Sequence, residues 1–457
     1  MPSNPYRDIP QVEKLLADPR IVAWSDALSR QVVTRVVIAA TDAARRVIAD
    51  SGTSSSPEEL IGKIEAECWR LASRRIRKVI NATGVILHTN MGRAPLSPKL
   101  WDAAREANAG YSNLELDLEN GKRGSRAGIC PELISILTGS EDGLVVNNNA
   151  AAILLVLSAL ARGREVIVSR GEQVQIGGGF RIPDILALSG ARLIEVGTTN
   201  ITTQDDYLSA ITSETAIILV VHPSNFRIRG FTEKPDLAAL ARSIPAQVAL
   251  VVDQGSGVIG EKLPGEVGVG SYIKQGAHVV CFSGDKILGG PQAGIIAGKK
   301  RFVDQLRDHP LMRAFRPGKA VYSLLEEHLI RRLRGLDKGH AGKLTALSIS
   351  ELTAFGERLL LGIPEGKARL RPWPIATGGG SAPDETFPSV AIELGNGEGS
   401  QNLLRDLRAL PVPVIGVIAN DHVILSLATM YGEDEDYIAR SITKLLGFGS
   451  WGGQPCT

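Results

Sequence analysis

The stretch HVVCFSGDKILGG, residues 278–290, runs from an apolar strand into a turn of small residues that contains Lys286. An earlier stretch, QVALVVD (247–253), is equally apolar and ends on an acid, Asp253. Strands without polar alternation are buried on both faces, which is typical of a mostly parallel sheet covered by helices. Ligands of such sheets bind beyond the carboxyl ends of the strands, where we expect Lys286 and Asp253 to lie.

The neighbouring sequence extends this α/β pattern. Helical segments such as 150–162 and 235–242 alternate with short apolar runs at 144–147, 165–169, 192–196 and 216–222. With 457 residues the chain is longer than one hydrophobic core usually organises. We therefore predict three domains, which are a helical N-terminal domain (1–80), a large α/β domain (81–363) and a small C-terminal α/β domain (364–457).

Composition limits the classes of partner and compartment. The formal net charge is only +2, so a nucleic-acid site would have to be a local basic patch. The N-terminus does not resemble a signal peptide, and the longest apolar run, 150–161, is too short to span a bilayer. The four cysteines form no CxxC pair, which argues against a zinc site or a disulfide framework. We expect a cytoplasmic protein without a metal site.

The helical N-terminal region carries one such basic patch. Asp26 is predicted to cap a long helix that continues to Ala49, and a Ser-rich loop at 51–57 precedes the next helix. That helix is predicted to end in a cluster of five basic residues, Arg70, Arg74, Arg75, Arg77 and Lys78. The cluster is either a solvated helix face or a contact with a phosphate backbone.

An acid that ends one strand and a lysine just past the next suit pyridoxal phosphate (PLP). A carboxylate such as Asp253 keeps the pyridine nitrogen protonated, and a lysine such as Lys286 forms a Schiff base with the cofactor and moves protons. A candidate phosphate-binding loop at 146–151, the acid Asp253 and Lys286 follow one another along the chain in the order that the aspartate-aminotransferase (type I) fold requires. The predicted fold class is therefore the PLP-dependent aspartate-aminotransferase fold.

Six further residues are candidate cofactor contacts, and five of them are candidates for the phosphate or the ring oxygen. Asn148, Asn149 and Ala150 lie where a strand turns into a helix, and amides at a helix N-terminus bind phosphate, although an Asn-rich cap without a ligand is common. Ser283 is a second candidate for the phosphate, and Asn225 for the ring oxygen.

Gln173 lies where this fold places a residue over the ring face. The glycine runs 177–179 and 378–380 do not match the GxGxxG motif of dinucleotide-binding folds.

Three arginines are candidates for binding an anion. Arg93 follows the segment HTNMG, and Arg313 and Arg316 lie in HPLMRAFRPGK. Arginines three residues apart in a helix can present two guanidinium groups to one oxyanion. Salt bridges at a subunit interface would explain the same spacing.

Several motifs together resemble the bacterial selenocysteine synthase family, the L-seryl-tRNA(Sec) selenium transferases. The resemblance covers nearly the whole chain, and it is carried by INATGVILHTNMGRAPLS (80–97), GKRGSRAG (121–128), NNNAAA (147–152), GGGFRIPDI (177–185), VDQGSG (252–257), SGDKILGGPQAGIIAG (283–298) and PLMRAFR (310–316).

The resemblance implies an activity as well as a fold. It implies conversion of seryl-tRNA(Sec) to selenocysteinyl-tRNA(Sec), through loss of water from the seryl group and addition of selenium from selenophosphate to the dehydroalanyl group. It assigns the PLP lysine to Lys286 and the donor's oxyanion to Arg93, Arg313 and Arg316. It also implies that the N-terminal helices recognise tRNA and that the chain assembles into a ring-shaped homodecamer built from dimers.

Two departures from the family pattern leave alternatives open. LSLAT (425–429) places Ala428 where the family has an arginine near the substrate's carboxyl end, and PGK follows Arg316 in place of a VDK-like run. A PLP lyase or transferase for a free amino acid or amino sugar acid would explain Ala428. An inactive tRNA-binding or assembly protein is a third possibility, but the intact pair of Asp253 and Lys286 argues against it.

Overall fold

The computed structural model describes residues 5–176, 179–260, 263–337, 339, 348–395 and 399–447. They form two compact units. The sheet unit contains residues 81–395 and 416–433, and the helical unit contains residues 5–80, 399–415 and 434–447.

The three predicted domain boundaries stay a prediction, but the compact units divide the C-terminal region differently. Residues 399–415 and 434–447 belong with the N-terminal helices. Two contacts show the reason, since the Ile80 amide donates to the Pro413 carbonyl at 2.8 Å and the Lys78 ammonium pairs with Asp434 at 2.7 Å.

A seven-stranded sheet forms the centre of the sheet unit. In chain order its strands are β1 (Asp142–Val146), β2 (Glu165–Ser169), β3 (Arg192–Val196), β4 (Thr215–Val221), β5 (Ala249–Gly255), β6 (Val279–Ser283) and β7 (Gly294–Gly298). Across the sheet the order is β1-β7-β6-β5-β4-β2-β3. The pairs from β6 to β3 are parallel, whereas β7 is antiparallel to both of its neighbours.

Burial on both faces explains the apolar strands. Leu250 and Val252 of β5 pack into one hydrophobic cluster, and Ala249 and Val251 pack into a second cluster on the opposite face. The helices of the sheet unit are Pro98–Ala109, Cys130–Thr138, Asn149–Leu160, Ile182–Ser189, Gln204–Ser209, Leu237–Ser243, Val269–Lys274, Lys300–Asp308, Leu311–Phe315, Lys319–Leu333 and Ile349–Leu359. The predicted alternation of strands and helices is confirmed.

The sheet unit also contains a smaller antiparallel sheet and a hairpin. The smaller sheet consists of Ala368–Pro372, Val390–Leu394, His422–Ser426 and Val417–Ala419. The hairpin, called the glycine hairpin here, pairs Ile375–Gly378 with Ser381–Phe387. Its turn therefore consists of glycines.

In the helical unit, short helices precede two long ones, Arg30–Ser51 and Pro57–Ser73. The predicted cap at Asp26 is wrong, because Asp26 lies inside a preceding short helix, Trp24–Leu28. Ser29, with φ +76°, separates that helix from the long one that begins at Arg30. Ser56 and Glu59 form a capping box at the start of the second long helix. No helix within the described part of the chain has the length and apolar composition needed to cross a membrane.

Candidate active site

Asp253 and Lys286 lie at the carboxyl ends of two adjacent parallel strands. Asp253 is in β5, Lys286 follows β6 by three residues, and both are buried, with 4% and 6% of their surface exposed. Burial raises the pKa of Asp253, against the opposing effects of a hydrogen bond from Asn149 and the charges of Lys286 and His222. Burial, with the positive charge of Arg93, lowers the pKa of Lys286. The site therefore combines a shielded acid and a shielded amine.

The loop after β1 lies beside this acid. The helix Asn149–Leu160 begins there, and the Asn148 side chain caps it by accepting the Ala151 amide at 2.9 Å. The Asn149 side chain donates to Asp253 Oδ1 at 2.8 Å. The amides of Asn149 and Ala150 begin the helix and have no intrahelical acceptor, so they remain free for an anion.

Asn225 and Lys286 meet at the tip of the glycine hairpin. A Cβ added to Gly380 would lie 3.4 Å from the Asn225 Cβ and 3.9 Å from Lys286 Nζ. The buried Oδ1 of Asn225 and the buried hydroxyl of Ser381 have no partner among the described residues. Sequence reasoning identified Asn225 but set the glycines aside, although three consecutive glycines were a signal of close packing.

Ser283 and Gln173 differ in where they lie. Ser283 is the buried last residue of β6, three residues before Lys286. The Gln173 side chain instead donates to Glu195 at 2.7 Å. No contact within the described residues joins Gln173 to Asp253 or Lys286, so its predicted place over a cofactor ring stays a prediction. Gly177 and Gly178 lie outside the described residues.

The candidate anion-binding arginines lie in two places. Arg93 adopts a left-handed backbone conformation, φ +60°, and pairs with Asp285 at 2.8 Å beside a cavity of about 510 Å³. Arg316 contacts Glu115 at 3.4 Å. Arg313 is exposed and makes no ion pair within the described residues. The helix that contains Arg313 ends at Phe315, so the two arginines do not share a helical face as the spacing suggested.

The segment of Arg313 and Arg316 nonetheless adjoins the loop after β1. The backbone amide of Asn147 donates to the Phe315 carbonyl at 2.9 Å, and the Asn147 side chain donates to the Ala314 carbonyl at 3.4 Å. These two bonds hold the backbone between the two arginines against the loop that precedes the helix start at Asn149. The structure thus groups two of the three arginines with the candidate phosphate loop.

A buried histidine–glutamate pair was missed by sequence reasoning. His222 follows β4, and its Nδ1 and Nε2 lie 3.0 Å from the Tyr272 hydroxyl and from Glu266, respectively. The His222 backbone amide donates to the Asp253 carbonyl at 2.9 Å. Nothing in the local sequence marks Glu266, because its partners are far away along the chain.

The residues at this edge fit pyridoxal phosphate. A buried amine, a buried carboxylate, free amides at a helix start and unpartnered amide oxygens on Asn149 and Asn225 are the groups that this cofactor requires. Within the described residues, no cluster of His, Cys, Asp or Glu could hold a metal ion. The buried amine, the buried carboxylate and the amides at the helix start suit an organic phosphate cofactor.

Comparison with solved structures supports the fold. The structure of D-glucosaminate-6-phosphate ammonia-lyase aligns with 81% of this chain and 96% of its own, with a TM-score of 0.58 and 19% sequence identity. A likeness at that identity concerns the fold alone. With the mostly parallel seven-stranded sheet, it confirms the predicted α/β aspartate-aminotransferase fold.

Sequence comparison identifies the family. The model described as L-seryl-tRNA selenium transferase matches residues 79–431, and that of the selenocysteine synthase N-terminal region matches residues 6–45. The L-seryl-tRNA(Sec) selenium transferase of Moorella thermoacetica is 40% identical over 99% of each chain. That of Solidesulfovibrio magneticus is 41% identical over 96% of this chain and 98% of its own. The chain belongs to the L-seryl-tRNA selenium transferase family.

Proposed function

We propose that this chain is a PLP-dependent transferase that converts seryl-tRNA(Sec) to selenocysteinyl-tRNA(Sec), with selenophosphate as the selenium donor. In the net reaction the seryl β-hydroxyl is replaced by selenium and phosphate is released. The observation that carries this proposal is the buried pair of Asp253 and Lys286 on adjacent strands, in a chain of this family.

The residues that would hold the cofactor lie on four segments. When bound, pyridoxal phosphate supplies an electron sink that stabilises negative charge at the seryl Cα. Lys286 would bind it covalently, and the Asp253 carboxylate would face its ring nitrogen. The amides at the helix start and Ser283 would bind its phosphate, and Asn225 its ring oxygen.

Lys286 and Asp253 have complementary parts in the chemistry. The lowered pKa of Lys286 increases the fraction of neutral amine, so that the lysine can accept the Cα proton near neutral pH. Burial raises the pKa of Asp253, whereas the hydrogen bond that the Asn149 side chain donates to its carboxylate and the charge of Lys286 act in the opposite direction and favour the anionic form. An anionic Asp253 in a shielded site is what a cationic ring nitrogen needs as a partner.

We assign the donor's oxyanion to Arg93, Arg313 and Arg316. A guanidinium group has five donors, so the ion pairs of Arg93 with Asp285 and of Arg316 with Glu115 leave other N–H groups available. All the N–H donors of the Arg313 guanidinium are available, because Arg313 makes no ion pair within the described residues. Selenophosphate is a small multivalent oxyanion, for which planar guanidinium groups are suitable partners.

The tRNA and the assembly complete the proposal. We assign tRNA contact to the basic residues at 70–78, of which Arg74 makes no side-chain bond within the described residues. We also propose a homodecameric ring built from dimers. The exposed apolar side chains of Trp101, Tyr111 and Leu118 on the sheet unit support a subunit interface there.

The test is transfer of selenium in vitro. Purified protein, PLP, seryl-tRNA(Sec) and labelled selenophosphate should yield tRNA-bound label that alkaline hydrolysis releases as selenocysteine. Free serine in place of seryl-tRNA should give no product. Turnover of a free amino acid, with no label on tRNA, would contradict the proposal and favour a lyase or transferase for small substrates.

A further inference from the structure

Glu266 is a wholly buried carboxylate that joins three distant segments of the sheet unit. Its side chain is 0% exposed. Glu266 Oε2 accepts hydrogen bonds from His222 at 3.0 Å and from the Ser256 hydroxyl at 2.6 Å. Glu266 Oε1 accepts the backbone amide of Ala382 at 2.7 Å. These bonds outweigh the effect of burial and lower the pKa of Glu266, so the group is anionic at neutral pH.

Each of the three donors lies on a different segment next to Asp253 or Lys286. His222 follows β4, and its amide donates to the Asp253 carbonyl. Ser256 directly follows β5, which contains Asp253. Ala382 is in the glycine hairpin, two residues beyond Gly380. One carboxylate therefore connects the strand ends that position the acid with the hairpin whose tip adjoins the lysine.

The glycine hairpin fits tightly against the site. A Cβ on Gly378 would overlap the Val85 side chain, and a Cβ on Gly379 would lie 2.8 Å from the Leu87 Cβ. The turn therefore approaches the 84–87 segment more closely than any other residue type permits. Beyond the turn, Ala382 adopts φ +46°, a conformation that a non-glycine residue holds only when its surroundings fix it. The bond from its amide to Glu266 is one such restraint.

We propose that Glu266 is the positioning residue of the lysine site, because it fixes the glycine hairpin, whose tip adjoins Lys286 and Asn225, through a buried negative charge bonded to the hairpin backbone. The importance of Glu266 for catalysis rests on the proposed function. The hydrogen bonds that Glu266 accepts from His222, Ser256 and Ala382 are a property of the chain alone. Without Glu266, the Ala382 amide, the Ser256 hydroxyl and His222 lose a common acceptor. The hairpin should then open more often, because a buried donor without a partner is costly.

Two variants test the hydrogen bonds that Glu266 accepts and its negative charge. Glu266→Ala removes all three accepted bonds. Glu266→Gln keeps the shape but has one acceptor oxygen and no charge. The matched control is Glu393→Gln, because Glu393 is also a buried carboxylate but pairs with Arg369 and Arg371 in the smaller sheet, with none of the Glu266 partners.

The first measurement is amide hydrogen exchange of a peptide spanning 375–387 by mass spectrometry, on full-length protein without added cofactor. We expect Glu266→Ala to exchange the Ala382 amide about tenfold faster than wild type, the ratio expected when one hydrogen bond to a charged acceptor is lost. Glu393→Gln should match wild type. Equal exchange in Glu266→Ala and wild type would overturn the proposal, whatever the chain's activity.

The second measurement is a pH titration of the visible absorbance of protein loaded with pyridoxal phosphate, and it needs only Glu266→Gln to fold. Burial and the charge of Arg93 lower the pKa of Lys286, and the charge of Glu266 opposes this lowering, although less than the charge of Asp253 does. Loss of the charge should shift the titration to lower pH, by less than Asp253→Asn shifts it. An unshifted titration in Glu266→Gln would contradict the charge effect. Wild-type protein without any visible absorbance would instead contradict the proposed function and leave the exchange result standing.

Discussion

The lysine site and the basic residues at 70–78 both contain basic side chains, but the two regions differ in how exposed these side chains are and in whether they are paired. Lys286 is 6% exposed and forms no hydrogen bond or ion pair with the described residues. Lys78, with 52% of its side chain exposed, pairs with Asp434, and Arg70 pairs with Glu67. Arg75 and Arg77 donate to backbone carbonyls. A buried amine without a hydrogen bond or ion pair among the described residues is energetically costly and points to chemistry, whereas an exposed, paired cation has a structural explanation.

The largest effect in this comparison is expected from Lys286→Ala. The variant should lose turnover completely and show no covalent cofactor, because no other described side chain occupies the place of that amine. Lys274→Ala is the control, since Lys274 is an exposed lysine at the end of the helix Val269–Lys274. Both variants are assayed for selenium transfer, and their absorbance spectra are recorded. Residual turnover in Lys286→Ala would remove the lysine from the mechanism.

Asp253→Asn should come next, with a loss of about three orders of magnitude in kcat, because a neutral amide cannot hold the ring nitrogen protonated in a shielded site. The variant should still bind the cofactor. Asp236→Asn is the control, because Asp236 caps the helix Leu237–Ser243 through the Ala238 amide, a role that Asn performs equally well. Near wild-type kcat in Asp253→Asn would show that the acid is dispensable.

Arg313 and Arg316 should differ from each other, since Arg316 contacts Glu115 and Arg313 makes no ion pair within the described residues. Arg313→Ala should raise the apparent KM for the anionic donor and leave the absorbance spectrum unchanged. Arg316→Ala should raise the same KM and also lower the melting temperature, because it leaves Glu115 with one cation fewer. Lysine in place of either residue should restore little, because a point charge does not reproduce a planar guanidinium. Unchanged KM values in both variants would reassign the arginines to structural ion pairs.

The smallest effect is expected in the basic residues at 70–78. Removal of residues 1–80 would divide a compact unit that also contains 399–415 and 434–447, so single substitutions are the cleaner test. Arg74→Gln should weaken tRNA binding and reduce the slope of log K against log salt by about 0.7–0.9, which corresponds to one phosphate contact. Lys78→Gln should change this slope less, because Asp434 already neutralises Lys78. Equal slopes for Arg74→Gln and wild type, measured by filter retention, would argue against phosphate contact there.

The sequence revealed the parts of the site that lie next to strand ends. Lys286 and Asp253 were predictable because their strands are apolar without alternation, which reveals burial on both faces and hence the sheet edge. Glu266 was not predictable, because its donors lie 44, 10 and 116 residues away along the chain. Only the fold brings them together.

Local sequence patterns gave wrong predictions at two places in the chain. Asp26 has the right chemistry for a cap, but the break at Ser29 moves the start of the long helix to Arg30. Arg313 and Arg316 have helical spacing, but the helix ends at Phe315, whose carbonyl binds the Asn147 amide. A spacing of three residues therefore could not tell whether two guanidinium groups share a face.

The most direct test of the central claim is to locate the covalent bond between cofactor and chain. Protein incubated with pyridoxal phosphate is reduced with borohydride, digested and mapped by mass spectrometry. We expect a single pyridoxyl mark on the peptide that contains Lys286, obtained with wild type and with Asp253→Asn but not with Lys286→Ala. A mark on another lysine, or a wild-type protein that takes up no cofactor, would contradict it.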